Sequence, residues 1–252
     1  PITLPNKEMA LGIYYMTSMD EASRKDEENQ PYFSNTNHAL LAHDLNKIQL
    51  REPIKVRVLI DGEVKIIETN VGRLKFNELL PADFGFINES INASRIKRVT
   101  TRAMKMYESG QVAELIDKIK NIGFYAATLS GISVSVFDNV IVPEKDELVK
   151  RAEKKVAAID ENYQNGLITI NEKKHLSNDV WLKVTDEVSD ITWNNLKSSN
   201  PIKISIDSGG TRAGVEQLKQ LSAIRGLIVD PLGKIVELPI KSNFREGLSI
   251  FE

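Results

Sequence analysis

Ser208-Gly209-Gly210-Thr211-Arg212-Ala213-Gly214 is the stretch of the 252-residue sequence where small residues and a cation gather closely enough to hold a ligand. The residues before it, IKISI (202–206), read as a strand, and those after it, VEQLKQLSAIRGL (215–227), as a helix carrying Leu218, Leu221 and Ile224. A strand-to-helix connection is therefore expected. Small residues let backbone approach a ligand closely, and the first N–H groups of the following helix point at whatever sits there. Arg212 adds a permanent cation whose planar fork suits phosphate oxygens. The implied chemistry is anion binding, of a phosphate before other anions. The run is neither a GxxxxGK[ST] loop nor a GxGxxG fingerprint, and the alternative is that it is only a turn.

Little else in the sequence could carry a reaction. There is no HExxH, no GxSxG, no EF-hand loop and no Asp-rich metal cluster, so a self-contained enzyme is hard to build from these residues. His38 and His43 lie five apart, do not share a helix face as an i, i+4 ligand pair would, and read as structural or surface residues. The absence of Cys removes disulfides, thiolate metal sites and thiol nucleophiles together, and suits a reducing, cytoplasmic setting. With 33 Lys+Arg against 35 Asp+Glu the net charge is −2, without the basic excess of a free-standing nucleic-acid binder. No apolar run reaches the length of a membrane span and no signal-peptide pattern opens the chain. The sequence begins at Pro1 rather than Met, so a piece of a larger protein is expected.

The elements that must position the Ser208–Gly214 run form an α+β pattern. Residues 1–17 read as an extended, Pro-punctuated entry and a short apolar element, and 18–30 as a charged surface loop. A short helix over 36–47 would carry Leu40, Leu41 and Leu45 on one side. IKVRVLI and VKIIET, separated by Asp61-Gly62-Glu63, predict a β-hairpin over 54–69. VGRLKFNELLP (71–81) leads through Pro81 into a polar stretch. Helices follow over 94–108 and 111–121, the second stopped by Gly123, and then a strand over ISVSVFDNVIVP (132–143). IVDPLGKIVELPI (228–240) suggests two strands about a Pro-Leu-Gly turn.

Residues 144–197 change character. Val149, Ala152, Val156, Ile159 and Tyr163 recur at spacings of 3 and 4, and Leu176, Val180, Val184, Val188 and Ile191 resume the stripe beyond Asn165-Gly166. This predicts an antiparallel helical hairpin with arms of roughly 30 Å, its tip at Gly166-Leu167-Ile168-Thr169. Such a charged, narrow hairpin suits reaching another molecule. The alternative, preferred on the pattern alone, is an αα-hairpin packed into an ordinary helical core.

Three of these stretches, NVGRLKFNELLP (70–81), YQNGLIT (163–169) and EQLKQLSAIRGL…ELPIKSNFREGLS (216–249), resemble the largest catalytic subunit of cellular RNA polymerase, of the bacterial β′ type. The opening PITLPNKEMALGIYY is similar to the stretch following that family's active-site region; 18–30 and 82–108 match poorly. The resemblance implies a pore (secondary-channel) domain over 1–143, a funnel domain with a rim-helix hairpin over 144–200, and over 201–252 a small α/β segment around the F-loop, ahead of the bridge helix. Nucleoside triphosphates would enter, and backtracked RNA leave, through this channel. Gre- and DksA-type factors would dock on the hairpin tip, Gly166, Leu167, Ile168 and Thr169.

In the family a Ser-Gly-Ala-Arg-Gly-Ser run supplies an Arg to the incoming triphosphate. Here one residue more separates Ser208-Gly209 from Arg212. Aligning on QLKQLSAIRGL puts Arg212 in the Arg position; aligning on Ser208-Gly209 would put Thr211 there. Arg212 is preferred because the chemistry needs a cation, with Ser208, Gly209, Gly210 and Thr211 as its supporting loop. Also implied are β, α and ω subunits, sigma factor, DNA template and RNA transcript as partners in the whole enzyme, and Mg2+ held by residues outside this chain. The chain alone is then expected to be inactive, because polymerisation proceeds by metal-assisted in-line displacement. The rival readings are a docking platform working mainly through the hairpin, and an independent phosphate-binding enzyme.

Overall fold

A computed structural model describes residues 4–250 apart from 25, 27, 28, 61 and 237. The chain divides into two compact units, one of residues 1–133 with 198–212 and one of 134–197 with 213–252. The first holds helix α1 (Glu8–Thr17), strand β1 (Tyr32–Phe33), α2 (Thr36–Asp44), β2 (Ile54–Ile60), β3 (Glu63–Thr69), α3 (Val71–Asn77), α4 (Ala93–Met106), α5 (Ser109–Ser130) and α8 (Pro201–Asp207). The second holds α6 (Lys145–Gln164), α7 (Ile170–Asn195) and α9 (Val215–Ser222). Helices beside one small sheet make this an α+β protein.

In the first unit β2 and β3 pair antiparallel from Ile54↔Thr69 to Ile60↔Glu63, the expected hairpin, while β1 adds parallel to β2. Gly62 turns the hairpin at φ +82°; Asp61 lies outside the described residues. The sheet's buried face carries Ile54, Val56 and Val58 and packs with Val71 and Leu74 of α3. A second core joins Ala10, Ile13 and Met16 of α1 to Ile96 and Val99 of α4 and Val112, Leu115 and Ile119 of α5. The NVGR stretch locks α3 onto α1. Asn70 caps α3 by accepting from Arg73 N–H at 2.8 Å, and its own amide donates 2.9 Å to Ser18 O. Arg73 Nε donates 2.8 Å to Thr17 O, so the two side chains satisfy carbonyls that α1 leaves open at its C-terminus. Gly72 has no room for a side chain, since a Cβ there would lie 1.8 Å from Met16 O.

In the second unit α6 and α7 form the expected helical hairpin, with Leu148, Ala152, Trp181, Val184 and Val188 in its core beside Ala223 and Ile224. The SNFREG stretch ties this unit together. Fully buried Asn243 donates 3.0 Å to Ser222 O and 3.1 Å to Ala223 O, closing the end of α9. Glu246 pairs with the buried Lys145 ammonium, and Arg245 donates to Asn139 O.

Several expected elements differ. IKISI is helical, not extended: Asn200 accepts from Ile202 N–H at 2.9 Å and Pro201 occupies the first helical turn, an N-cap and N1 pair that starts α8 despite the β-branched residues. ISVSVFDNVIVP forms no strand. Ser135 and Asp138 instead close a short 3-10 turn, and Val134, Val136 and Phe137 face solvent with no neighbouring strand to pair. Gly123 does not stop α5, which continues to Gly131 at φ +53°. On α2 the buried side is Ala39, and Leu41 and Leu45 are exposed. Residues 228–240 make only isolated antiparallel bridges, Gly226↔Ile240 and Val229↔Ile235. Among the described residues no helix is long and apolar enough to cross a membrane.

Candidate functional site

Because 202–206 is helical, the Ser208–Gly214 run joins two helices, α8 and α9, rather than a strand and a helix. Most of its polar groups are committed to fixing its path. Ser208 is fully buried; its hydroxyl donates 2.7 Å to Ser205 O and accepts from Gly210 N–H at 3.2 Å, and its carbonyl accepts from Ala93 N–H at 2.9 Å. Thr211 Oγ1 donates 2.9 Å to Ser205 O. Gly209 is glycine for its backbone, at φ +62°. Gly210 is glycine for closeness to α1, since a Cβ there would lie 2.5 Å from Lys7 O and 2.8 Å from Ala10 Cβ. Small side chains here serve protein packing. At the other end Gly214 N–H donates 2.7 Å to the Gln217 side chain, which occupies the start of α9.

Arg212 is the exception. Its side chain is exposed and has no hydrogen-bond or ion-pair partner among the described residues. The start of the loop is clamped by Tyr14, whose hydroxyl donates 3.3 Å to Asp207 Oδ2. Burial, and then the neighbouring Asp207 charge, push the Tyr14 phenol up to about 12; burial also raises the Asp207 carboxyl above its usual range. A rigid loop that presents one unengaged guanidinium can bind and orient an anion. Thr211, the other candidate for that role, spends its hydroxyl on Ser205 O.

The hairpin tip is a separate group of residues within the second unit. Gly166 at φ +72° ends α6, with Leu167 N–H donating 2.9 Å to Asn162 O. Thr169 starts α7 through a capping box: its N–H donates 2.7 Å to Glu172 Oε2, and Glu172 N–H donates 3.3 Å to Thr169 Oγ1. These bonds hold the Glu172 carboxyl below its ordinary range. Between the caps Ile168 is half-buried and Leu167 is 72% exposed, an apolar side chain on a tightly fixed turn.

Sequence residues 1–139, more than half of the chain, match the family described as RNA polymerase Rpb1, domain 3. The chain belongs to that family. Rpb1 domain 3 thus covers α1 to α5 and the sheet, and similarity to individual proteins extends across all 252 residues. The chain is 37% identical over its full length to the DNA-directed RNA polymerase subunit beta' of Desulforudis audaxviator (strain MP104C), of which it covers 21%. It is 38% identical to that of Thermosipho africanus (strain TCF52B) and 33% identical to that of Thermobifida fusca (strain YX), covering all of this chain in each case but 15% and 20% of the relatives. The chain spans about a fifth or less of the length of these curated relatives.

Sequence reasoning missed one chemically distinct group inside the Rpb1 domain 3 match, the cations of α4. The signal was present: residues 90–107 contain Arg95, Lys97, Arg98, Arg102 and Lys105 and no acid.

Proposed function

We propose that the chain is the part of a DNA-directed RNA polymerase β′ subunit that lines the secondary channel and funnel, and that Arg212 orients the triphosphate of an incoming nucleotide. The observation that carries this reading is that Arg212 stands unengaged on a loop whose neighbouring Ser208 and Thr211 hydroxyls are spent on Ser205 O. The guanidinium can neutralise phosphate charge and fix its orientation through paired N–H donors without reorganising the loop. In the whole enzyme the partners would be the β, α and ω subunits, sigma factor, template and transcript. Among the described residues no group of three or more His, Cys, Asp or Glu side chains is placed to hold a metal ion. These residues do not fit a Mg2+ site, and no step through the metal falls to this chain.

In the assembled polymerase Arg212→Ala is expected to raise the apparent KM for nucleotides about ten- to a hundredfold, the loss of one charge-assisted contact. Arg212→Lys should recover part of it. Steady-state elongation at varied nucleotide concentration measures this, and an unchanged KM in the alanine variant overturns the triphosphate role. A second reading, a docking platform for Gre- or DksA-type factors, is favoured by the exposed, doubly capped Leu167 turn.

A further inference from the structure

Helix α4 buries Ile96, Val99, Thr100 and Ala103, a stripe at spacings of 3, 1 and 3. Arg95, Arg98 and Arg102 follow one flank of that stripe at i, i+3 and i+7, so their side chains stand one above the next. They rim a cavity of about 230 Å³. Its floor is apolar, made by Phe84, Ile87, Ile91 and Val99, and Glu89 is its acidic lining residue.

The three arginines are not equivalent. Arg95 is paired with Glu89. Arg102 donates 3.0 Å to Asp83 O and 3.3 Å to Phe84 O, and its guanidinium lies 4.9 Å from the centre of the Phe84 ring. Phe84 is itself stacked on Tyr107 with ring centres 6.2 Å apart. Arg98 is exposed and has no hydrogen-bond or ion-pair partner among the described residues. Two arginines are thus held in place by their neighbours, and between them stands a third whose fork is open.

We propose that this cavity binds a nucleoside phosphate. Arg98, with N–H groups that Arg102 leaves free, takes the phosphoryl group; the apolar floor takes a flat base; and Glu89, fixed by Arg95, accepts from a sugar hydroxyl. A bare anion would have no use for the apolar floor, and an apolar ligand none for the arginines. An extended nucleic-acid track would need cations in line beyond the cavity, whereas Lys97 and Lys105 of the same helix are not among its lining residues.

Isothermal titration of the full chain with adenosine monophosphate, adenosine, inorganic phosphate and a ten-nucleotide RNA tests the site. Adenosine monophosphate is expected to bind, with adenosine and inorganic phosphate each about tenfold weaker or more. Arg98→Gln should weaken adenosine monophosphate at least about tenfold. Arg212→Ala should leave that affinity unchanged, which separates this site from the proposed triphosphate contact. Because Arg98 is exposed, circular dichroism of the variant should match the parent chain. No binding of adenosine monophosphate, an affinity unaltered by Arg98→Gln, or inorganic phosphate bound as tightly as the nucleotide would each overturn the proposal. So would RNA binding that is tighter than the nucleotide's and depends on Lys97 and Lys105 as much as on Arg98.

Discussion

The hydroxyl of Tyr14 and the carboxylate of Asp207 hold the start of the Arg212 loop against α1, and their proton affinities make that clamp measurable. Both groups bind protons more tightly in the folded chain than in the unfolded one. Folding therefore takes up protons, and stability must fall as pH rises through each window: from the ordinary carboxylate range up through the raised value of Asp207, and again from 10.0 to about 12 for Tyr14. Tyr14→Phe removes the second window. Denaturant unfolding followed between pH 9.5 and 11.5 should show the parent chain losing stability more steeply than the variant, and a parent-minus-variant absorbance titration should place the Tyr14 phenolate later than an ordinary tyrosine. Equal slopes in the two proteins would mean that the phenol is not held. At this scale the sequence was informative about Arg212, because only a permanent cation can serve a phosphate wherever the loop happens to lie. It was uninformative about why the glycines are there, since Gly210 answers to Lys7 and Ala10, some two hundred residues away in sequence.

Gly123 shows the same long reach acting on a whole element. In an exposed helix interior alanine in place of glycine stabilises by roughly 0.5–1 kcal/mol. Here a Cβ at Gly123 would lie 2.9 Å from Met9 Cα, Cβ and O, and one at Gly12 only 2.2 Å from Gly123 O, so α1 and α5 cross with backbone nearly touching. Gly123→Ala should instead destabilise by about 2 kcal/mol, the cost of forcing the helices apart. Gly131→Ala, which has open space but φ +53°, should cost about 1 kcal/mol through backbone strain alone. Thermal unfolding of the two variants measures the difference, and a neutral Gly123→Ala would show that the crossing is loose. A glycine after a run of apolar residues reads locally as a helix stop, and only the partner helix reveals it as a contact. Local signals did succeed where both halves of an element were near in sequence, as in the β2–β3 hairpin and the α6–α7 pair. They misled where apolar alternation was read without its flanks. IKISI is β-branched enough for a strand, yet Asn200-Pro201 before it is a helix start, and ISVSVFDNVIVP alternates but finds no strand beside it.

Across the whole molecule a net charge of −2 conceals strong local segregation, with five cations and no acid in residues 90–107. An average over 252 residues excluded an anion-binding role for the whole that no stretch of the chain had to obey. The hairpin distributes its groups differently. Its inner stripe is buried from Leu148 to Val188, while the turn beyond it carries exposed Leu167 between the Gly166 and Thr169 caps. An exposed side chain that packs against little contributes little to stability, so Leu167→Ser should change the unfolding free energy of the chain by no more than about 0.5 kcal/mol. On the docking reading the same change, made in the assembled polymerase, should lower the affinity of a Gre-type factor by about tenfold, in the range found for a truncated interface anchor. Basal elongation should continue at the parent rate, because the tip is remote in sequence from the Arg212 loop and shares no hydrogen bond with it. Factor-stimulated transcript cleavage at varied factor concentration, compared with elongation in the absence of factor, reads both effects. Loss of elongation together with factor response would make the hairpin part of the polymerase's working structure. Retention of both would remove the tip from factor docking and leave the channel reading to rest on Arg212.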